Sequence, residues 1–192
     1  LTLILSPSLR QSSEVLRKLR ALLPPYPPER WPVDVDAVLM IGWANGSRIV
    51  SLPGDGRTVR TYSPHLVILD EAAYVREDLP AAVLPMLMVT RGRLVALSSA
   101  GPKRGWLYRV WSEGGDEWER HRATAEENPR LDHGRLETER RLHGETIFRR
   151  EYAAEFTDDE EDHGNPRLLS PETIAALRAQ LPDDDEPGAR PS

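Results

Sequence analysis

The alternation of apolar and polar positions predicts a strand followed by a helix at the start of the chain. Leu1–Leu5 is a short apolar run closed by Ser6-Pro7, which is typical of a buried strand. Ser8 and Gln11 have the spacing of a capping box, and the leucines that follow recur near one helical face. We therefore expect a helix to begin directly after this strand.

Proline and glycine positions mark the next turns. Five prolines between positions 24 and 32 predict a loop over 24–32. Two segments with strand character, Val35–Trp43 and Arg48–Leu52, flank the dipeptide Asn45-Gly46, which suits a type I′ hairpin turn.

Two further strands are predicted in the middle of the chain. Leu66–Leu69 is a continuous apolar run, as expected for a strand covered on both faces, and Arg93–Leu97 is the next strand. Between them a helical stretch follows Asp70-Glu71 and continues to Leu87, with Pro80 and Pro85 expected to shorten or kink it. Three later helices are predicted over 106–111, 132–143 and 145–155, the last two joined at Gly144.

The order strand, helix, hairpin, strand, helix, strand predicts an α/β fold with a mostly parallel sheet flanked by helices. We assign residues 1–160 to this domain. Residues 161–192 are predicted to form an acidic linker, a short helix over 168–181 and a disordered tail.

Composition narrows the class of protein. The 192 residues are 39% hydrophobic and 29% charged, which fits a soluble globular chain, and no apolar run approaches the ~20 residues of a membrane span. The net charge of -6 argues against a nucleic-acid binder held by a basic surface, but it permits a motor that contacts DNA through a few loops. The absence of cysteine makes the cytoplasm the natural compartment. Leu1 already lies inside a predicted strand, so we expect a truncated chain.

Asp70 and Glu71 form the sharpest candidate for chemistry. They follow a buried parallel strand, and ligands of open α/β folds bind at the edge where such strands end. In a nucleotide motor, the first carboxylate serves Mg²⁺ and the second orients or deprotonates the attacking water. The alternative interpretation is a strand end followed by acidic residues that favour a helix N-terminus.

Ser98 and Ser99 follow the next predicted strand. Hydroxyl groups at this position can sense the γ-phosphate of a nucleotide, and the alternative is that they only satisfy backbone groups of a loop. Their spacing from Asp70-Glu71 is that expected for neighbouring strands of one sheet.

The ordered series of these segments resembles the ATPase domain of large terminases, the packaging motors of tailed bacteriophages. The resemblance rests on Asn45-Gly46-Ser47, on Asp70-Glu71, on Leu97-Ser98-Ser99-Ala100-Gly101 and on the segment 148–156, and it covers about residues 1–160. It implies a P-loop NTPase-like fold that uses ATP and Mg²⁺.

The resemblance also implies roles for individual residues. Asp70 would be the Walker B aspartate near Mg²⁺, Glu71 the catalytic carboxylate, and Ser98 and Ser99 members of the coupling motif that contacts the nucleotide. Arg60 stands where these motors carry an arginine that can act on the γ-phosphate across a subunit interface. The family usually has glycine after this arginine, whereas this chain has Thr61; without the resemblance, Arg60 is an ordinary solvated arginine.

The partners implied by the resemblance are double-stranded DNA, a small terminase subunit, a portal protein and identical subunits in a ring, in the cytoplasm of a bacterial host. No Gly-x-x-x-x-Gly-Lys-[Ser/Thr] sequence occurs, so the Walker A strand, loop and helix are missing, and no nuclease domain is present. We therefore expect the isolated chain to be a poor ATP hydrolase. The alternatives are a fragment of a helicase-like Asp-Glu ATPase and a non-enzymatic prophage remnant.

Overall fold

The computed structural model describes residues 1–23 and 32–158. The strands are β1 (Thr2–Ser6), β2 (Val33–Ala37), β3 (Met40–Trp43), β4 (Arg48–Pro53), β5 (Leu66–Asp70) and β6 (Arg93–Leu97). The helices are α1 (Leu9–Leu22), α2 (Gly56–Val59), α3 (Asp78–Thr90), α4 (Gly105–Glu113), α5 (His133–His143) and α6 (Glu145–Glu151). Two short 3₁₀ turns span Ala72–Tyr74 and Gly115–Glu117.

The six strands form one mixed sheet in the order β2-β3-β4-β1-β5-β6. The pairs β1–β4, β1–β5 and β5–β6 are parallel, whereas β2–β3 and β3–β4 are antiparallel. The predicted α/β fold with a mostly parallel sheet flanked by helices is therefore confirmed. Because β1 lies between β4 and β5, four consecutive strands of the sheet run in the same direction.

The two faces of β1 are both buried, as its apolar sequence predicts. Leu3 and Leu5 are fully buried in the main core, which includes Leu79 and Val83 of α3. On the opposite face lies Ile4, where α1 packs against β1 and β4. Helix α1 begins as predicted, because the Ser8 hydroxyl accepts a hydrogen bond from the Gln11 backbone amide at 3.3 Å.

The hairpin region differs from the prediction in two respects. The segment predicted as one strand, Val35–Trp43, is two antiparallel strands joined at Val38-Leu39, and the Val38 side chain is 71% exposed. The turn between β3 and β4 is also not type I′, because only Gly46, and not Asn45, has a positive φ. A hydrogen bond from the Gly46 amide to the Trp43 carbonyl (2.8 Å) closes a turn in which the glycine comes after the two central residues.

The helix predicted directly after Asp70-Glu71 is interrupted. A 3₁₀ turn occupies Ala72–Tyr74, and α3 begins only at Asp78. Pro80 then falls in the first turn, where its missing amide hydrogen leaves no helical hydrogen bond unmade, and Pro85 lies inside a helix that continues to Thr90.

The later helices are observed near their predicted positions, but α6 ends at Glu151, four residues before the predicted end. Residues 152–158 instead return to the sheet. Thr157 forms a parallel bridge with Pro102, in the loop after β6. The predicted loop over 24–32, except Pro32, and the predicted linker, helix and tail of 161–192 lie outside the described residues.

Strand β6 is an outer strand of the sheet within the described residues, and part of one of its faces is open. Val95 and Leu97 are 40% and 54% exposed on this face, opposite the side on which α3 packs. None of the described helices is long and apolar enough to cross a membrane.

Candidate active site at the carboxyl edge of the sheet

The parallel strands bring four chain segments to one edge of the sheet. Strands β4, β1, β5 and β6 end there at Pro53, Ser6, Asp70 and Leu97. The amide of Gly54, just beyond β4, donates a hydrogen bond to the carbonyl of Ser6 at 2.8 Å. This edge is where open α/β sheets bind their ligands, and it carries the predicted site residues Asp70, Glu71, Ser98 and Ser99.

Asp70 is the last residue of β5 and is half-buried. One of its carboxylate oxygens accepts a hydrogen bond from the Ser6 hydroxyl at 3.3 Å. The β1–β5 pairing places these two strand ends side by side. Ser6 is itself fully buried, so its hydroxyl is held in place beside Asp70.

Glu71 has a left-handed backbone conformation, with φ 53° and ψ 48°. This conformation costs a residue with a side chain about 1–2 kcal/mol. It turns the chain abruptly from β5 into the 3₁₀ turn, so that the Glu71 side chain stays at the sheet edge. Strain of this kind is concentrated at functional sites, which supports the assignment of Glu71 to the site.

The surroundings of Glu71 raise its pKa above the ordinary value for glutamate. Partial burial has the largest effect, followed by the negative charges of Asp70 and Glu151, and a hydrogen bond from Ser98 acts in the opposite direction. A carboxylate with a raised pKa is a better proton acceptor than an ordinary glutamate when it is ionised.

Ser98 and Ser99 contact two different carboxylates. The Ser98 hydroxyl lies 3.5 Å from a carboxylate oxygen of Glu71, at the long end of the hydrogen-bond range, and accepts a hydrogen bond from the Ala73 amide at 3.2 Å. The Ser99 hydroxyl donates to Glu151 at 3.3 Å. The loop after β6 therefore connects the Glu71 segment with the end of α6.

Arg60 lies apart from these residues. It is the exposed residue that ends the short helix α2, and no hydrogen bond or ion pair in residues 1–23 and 32–158 joins it to Asp70 or Glu71. Thr61 does not have a positive φ, and its hydroxyl donates to the Thr58 carbonyl at 3.1 Å, so this backbone does not require the glycine usual at that position. The structure thus leaves the role of Arg60 as a prediction.

Two residues of the site were not predicted from the sequence. Ser6 was recognised only as the end of a strand, although its place at the end of a strand next to the Asp-Glu strand was a usable signal. Glu151 carries no such signal, because it is 80 positions from Glu71 and comes close only through the return of the chain after α6.

The donor set at this edge fits a magnesium ion that also binds nucleotide phosphates. Mg²⁺ prefers oxygen ligands and is usually held by one or two carboxylates together with phosphates and water, rather than by a cage of protein groups. Asp70 and Glu71 supply two adjacent carboxylates. The described part of the chain contains no cluster of three or more acidic, histidine or cysteine side chains arranged as a metal site.

The site is an open edge rather than a closed cavity. Two shallow clefts, of about 400 and 500 Å³, lie elsewhere, and neither is lined by Asp70 or Glu71. The first lies against α5 and Phe148, and Glu151 is among the residues that line the second.

The fold is that of a P-loop NTPase-like α/β domain. Its architecture is that of the ATPase domain of phage large terminases. The large-terminase ATPase domain of Thermus phage P74-26 superposes with a TM-score of 0.63 and 22% sequence identity over 81% of this chain and 76% of that one.

Two structures of the large terminase from a second thermophilic bacteriophage show the same likeness. The complex with ADP has a TM-score of 0.63 and 12% identity, and the complex with ATP-γ-S has a TM-score of 0.61 and 14% identity. Each covers 81% of this chain, but this chain spans only 40% and 39% of those proteins. No protein-family model matches the chain, and no curated protein matches it in sequence.

Proposed function

We propose that this chain is part of the ATPase motor of a phage large terminase, which drives double-stranded DNA into procapsids. The observation that carries the proposal is the Asp70-Glu71 pair at the carboxyl end of a parallel strand, with Ser98 of the neighbouring strand against Glu71. The fold shared with large-terminase ATPase domains, and the solved complexes of one such terminase with ADP and ATP-γ-S, support ATP as the nucleotide.

In this proposal Glu71 orients the attacking water and accepts its proton. The raised pKa of Glu71 suits that task, because its ionised form has a high affinity for a proton. Asp70, held on one side by Ser6, would help to hold Mg²⁺, which supplies charge neutralisation on the nucleotide phosphates. Ser98 and Ser99 would respond to the γ-phosphate and its loss.

The proposal extends to the partners that such a motor needs. Arg60 is exposed at the end of α2, where it is accessible to the nucleotide of a neighbouring subunit in a ring. The other partners are DNA, a small terminase subunit and a portal protein, in the cytoplasm of a bacterial host. The net charge of -6 favours a DNA contact through local loops over one through the whole surface.

We also propose that residues 1–192 alone hydrolyse ATP poorly. The phosphate-cradling amides of a Gly-x-x-x-x-Gly-Lys-[Ser/Thr] loop are absent from this sequence, and without them the phosphates lose their main backbone donors.

The test is MgATP turnover by residues 1–192 and by a longer chain that includes the coding region upstream of Leu1. We expect turnover in the longer chain only, with a loss of about 100-fold or more on Glu71→Gln, because general-base catalysis contributes at least that much. Glu119→Gln is the matched control, since Glu119 is 84% exposed and its ion pair is with the nearby His121.

Each contrary outcome has a defined meaning. Robust Glu71-dependent turnover by residues 1–192 alone would contradict the proposed weakness of the isolated chain. Equal turnover by the Glu71→Gln and Glu119→Gln variants would remove Glu71 from the reaction. No turnover in either chain would favour the non-enzymatic remnant.

A further inference from the structure

Glu151 is a third carboxylate that side-chain contacts connect to the Asp70-Glu71 pair. It ends α6, and one of its carboxylate oxygens accepts a hydrogen bond from the Ser99 hydroxyl at 3.3 Å. The adjacent residue, Ser98, contacts Glu71 and also accepts a hydrogen bond from the Ala73 amide. Two neighbouring hydroxyls thus connect Glu151 to Glu71 across one short loop.

The chain around Glu151 is held by contacts of the neighbouring residues Arg150 and Thr157. Thr157, which is fully buried, joins the loop after β6 through two backbone hydrogen bonds, from its amide to the Gly101 carbonyl (3.3 Å) and from the Lys103 amide to its carbonyl (2.8 Å). Its hydroxyl accepts a hydrogen bond from the Arg150 guanidinium at 2.6 Å. The end of α6 is therefore anchored to the same loop on which Ser98 and Ser99 lie.

We propose that Glu151 is a positioning residue for Glu71: it holds Ser99, and through the loop after β6 it keeps the Ser98 hydroxyl against the Glu71 carboxylate. The assignment rests on the proposed function in treating Glu71 as the carboxylate that handles the attacking water. It goes beyond that function, because it gives the α6 segment a part in setting the state of the catalytic carboxylate.

Three variants test the contact between Glu151 and Ser99. Glu151→Ala removes both the charge and the acceptor, and Glu151→Gln removes the charge but keeps an oxygen that can accept from Ser99. Ser99→Ala removes the donor but keeps the charge. Two readouts in the 192-residue chain follow the site: the exchange rate of the Ala73 amide, which is bonded to Ser98, and that of the Thr157 amide, which is bonded to the Gly101 carbonyl.

We expect the Ala73 amide to exchange about fivefold faster in Glu151→Ala and in Ser99→Ala, the change that corresponds to one typical hydrogen bond, and to be unchanged in Glu151→Gln. The control Glu137→Gln, an exposed residue whose ion pair is with Arg140 on its own helix, should alter neither readout.

The proposal is overturned if the Ala73 amide exchanges at the wild-type rate in both Glu151→Ala and Ser99→Ala. Protection of the Thr157 amide from exchange shows whether the α6 segment is still docked. If Glu151→Ala undocks this segment, the result for Ser99→Ala alone tests the proposal. Both readouts are made without nucleotide. A failure of ATP turnover would therefore count against the proposed function. An unchanged exchange rate of the Ala73 amide in the variants would count against the positioning role of Glu151.

Discussion

Two features of Glu71 are energetically unfavourable. Its backbone is left-handed, and its surroundings disfavour the ionised form of its side chain. Neither feature contributes to folding, and a sequence selected for stability alone would replace this residue. Their coincidence at the end of β5 supports the proposed catalytic role of Glu71 over that of an acidic residue at a helix start, the alternative that the sequence left open.

The raised pKa of Glu71 gives a prediction about stability and pH. Because its pKa is higher in the folded than in the unfolded chain, the native state binds more protons in the window between the two values, and the free energy of unfolding decreases as the pH rises through the folded pKa. Glu71→Gln, which is never ionised, should therefore be more stable than the wild type at pH 7, and this advantage should vanish below the ordinary glutamate pKa. Urea unfolding at both pH values measures it.

Glu127 provides a control of opposite sign. Hydrogen bonds from the backbone and side chain of Thr124 lower its pKa, so its contribution to stability is present at neutral pH and is lost as the pH falls through the folded value. Glu127→Gln should thus be less stable than the wild type at pH 7. A Glu71→Gln variant that lost stability at pH 7 would mean that burial and Asp70 do not act on Glu71 as described.

At the scale of elements, the sequence predicted most strands because their apolar runs are short and bounded by clear turn residues. β1, β5 and β6 were found within one residue of the predicted ends. The break between β2 and β3 was missed because Val38 and Leu39 continue an apolar run, with no glycine, proline or asparagine to mark a turn.

The part of the site that follows predicted strands could also be predicted from the sequence. Asp70, Glu71, Ser98 and Ser99 follow recognisable strands, and parallel strands bring their ends together. Glu151 depends instead on how residues 152–158 return to the sheet, and this is decided by the burial of Thr157 and its hydrogen bonds to a distant loop. No local pattern encodes such a contact.

Helix α3 offers a prediction at this scale. Pro85 lies inside the helix and is exposed, so its ring removes a helical hydrogen bond and packs against little. Pro85→Ala is expected to stabilise the protein by about 1–3 kcal/mol, as read from the free energy of unfolding in urea. Pro80→Ala is the matched control and should not be stabilising, since Pro80 is buried in the first turn, where no helical hydrogen bond is lost. An equal increase in the free energy of unfolding from both substitutions would show that the missing helical hydrogen bond at Pro85 is not the cause.

At the scale of the whole molecule, the sheet sets the arrangement of Asp70, Glu71, Ser98 and Ser99. The antiparallel strands β2 and β3 extend one side, and the acidic pair lies near the other side, between β1 and β6. The α6 segment closes back on this second side through the Pro102–Thr157 bridge. The candidate chemistry is thus built from distant parts of the chain on the half of the sheet that ends at β6.

The open face and outer edge of β6 also govern how the isolated chain behaves in solution. Among residues 1–23 and 32–158, β6 has no strand paired to its outer edge, and Val95 and Leu97 are exposed. Such a strand is a template for pairing with a second chain, so purified protein should self-associate as its concentration rises. Val95→Lys should suppress this in analytical ultracentrifugation, whereas Met88→Lys, which removes an 80% exposed apolar side chain from α3, should not. Equal suppression of self-association by both substitutions would indicate non-specific association through exposed apolar side chains. If β6 is responsible, activity measurements on this chain need low protein concentrations or the lysine variant to keep it monomeric.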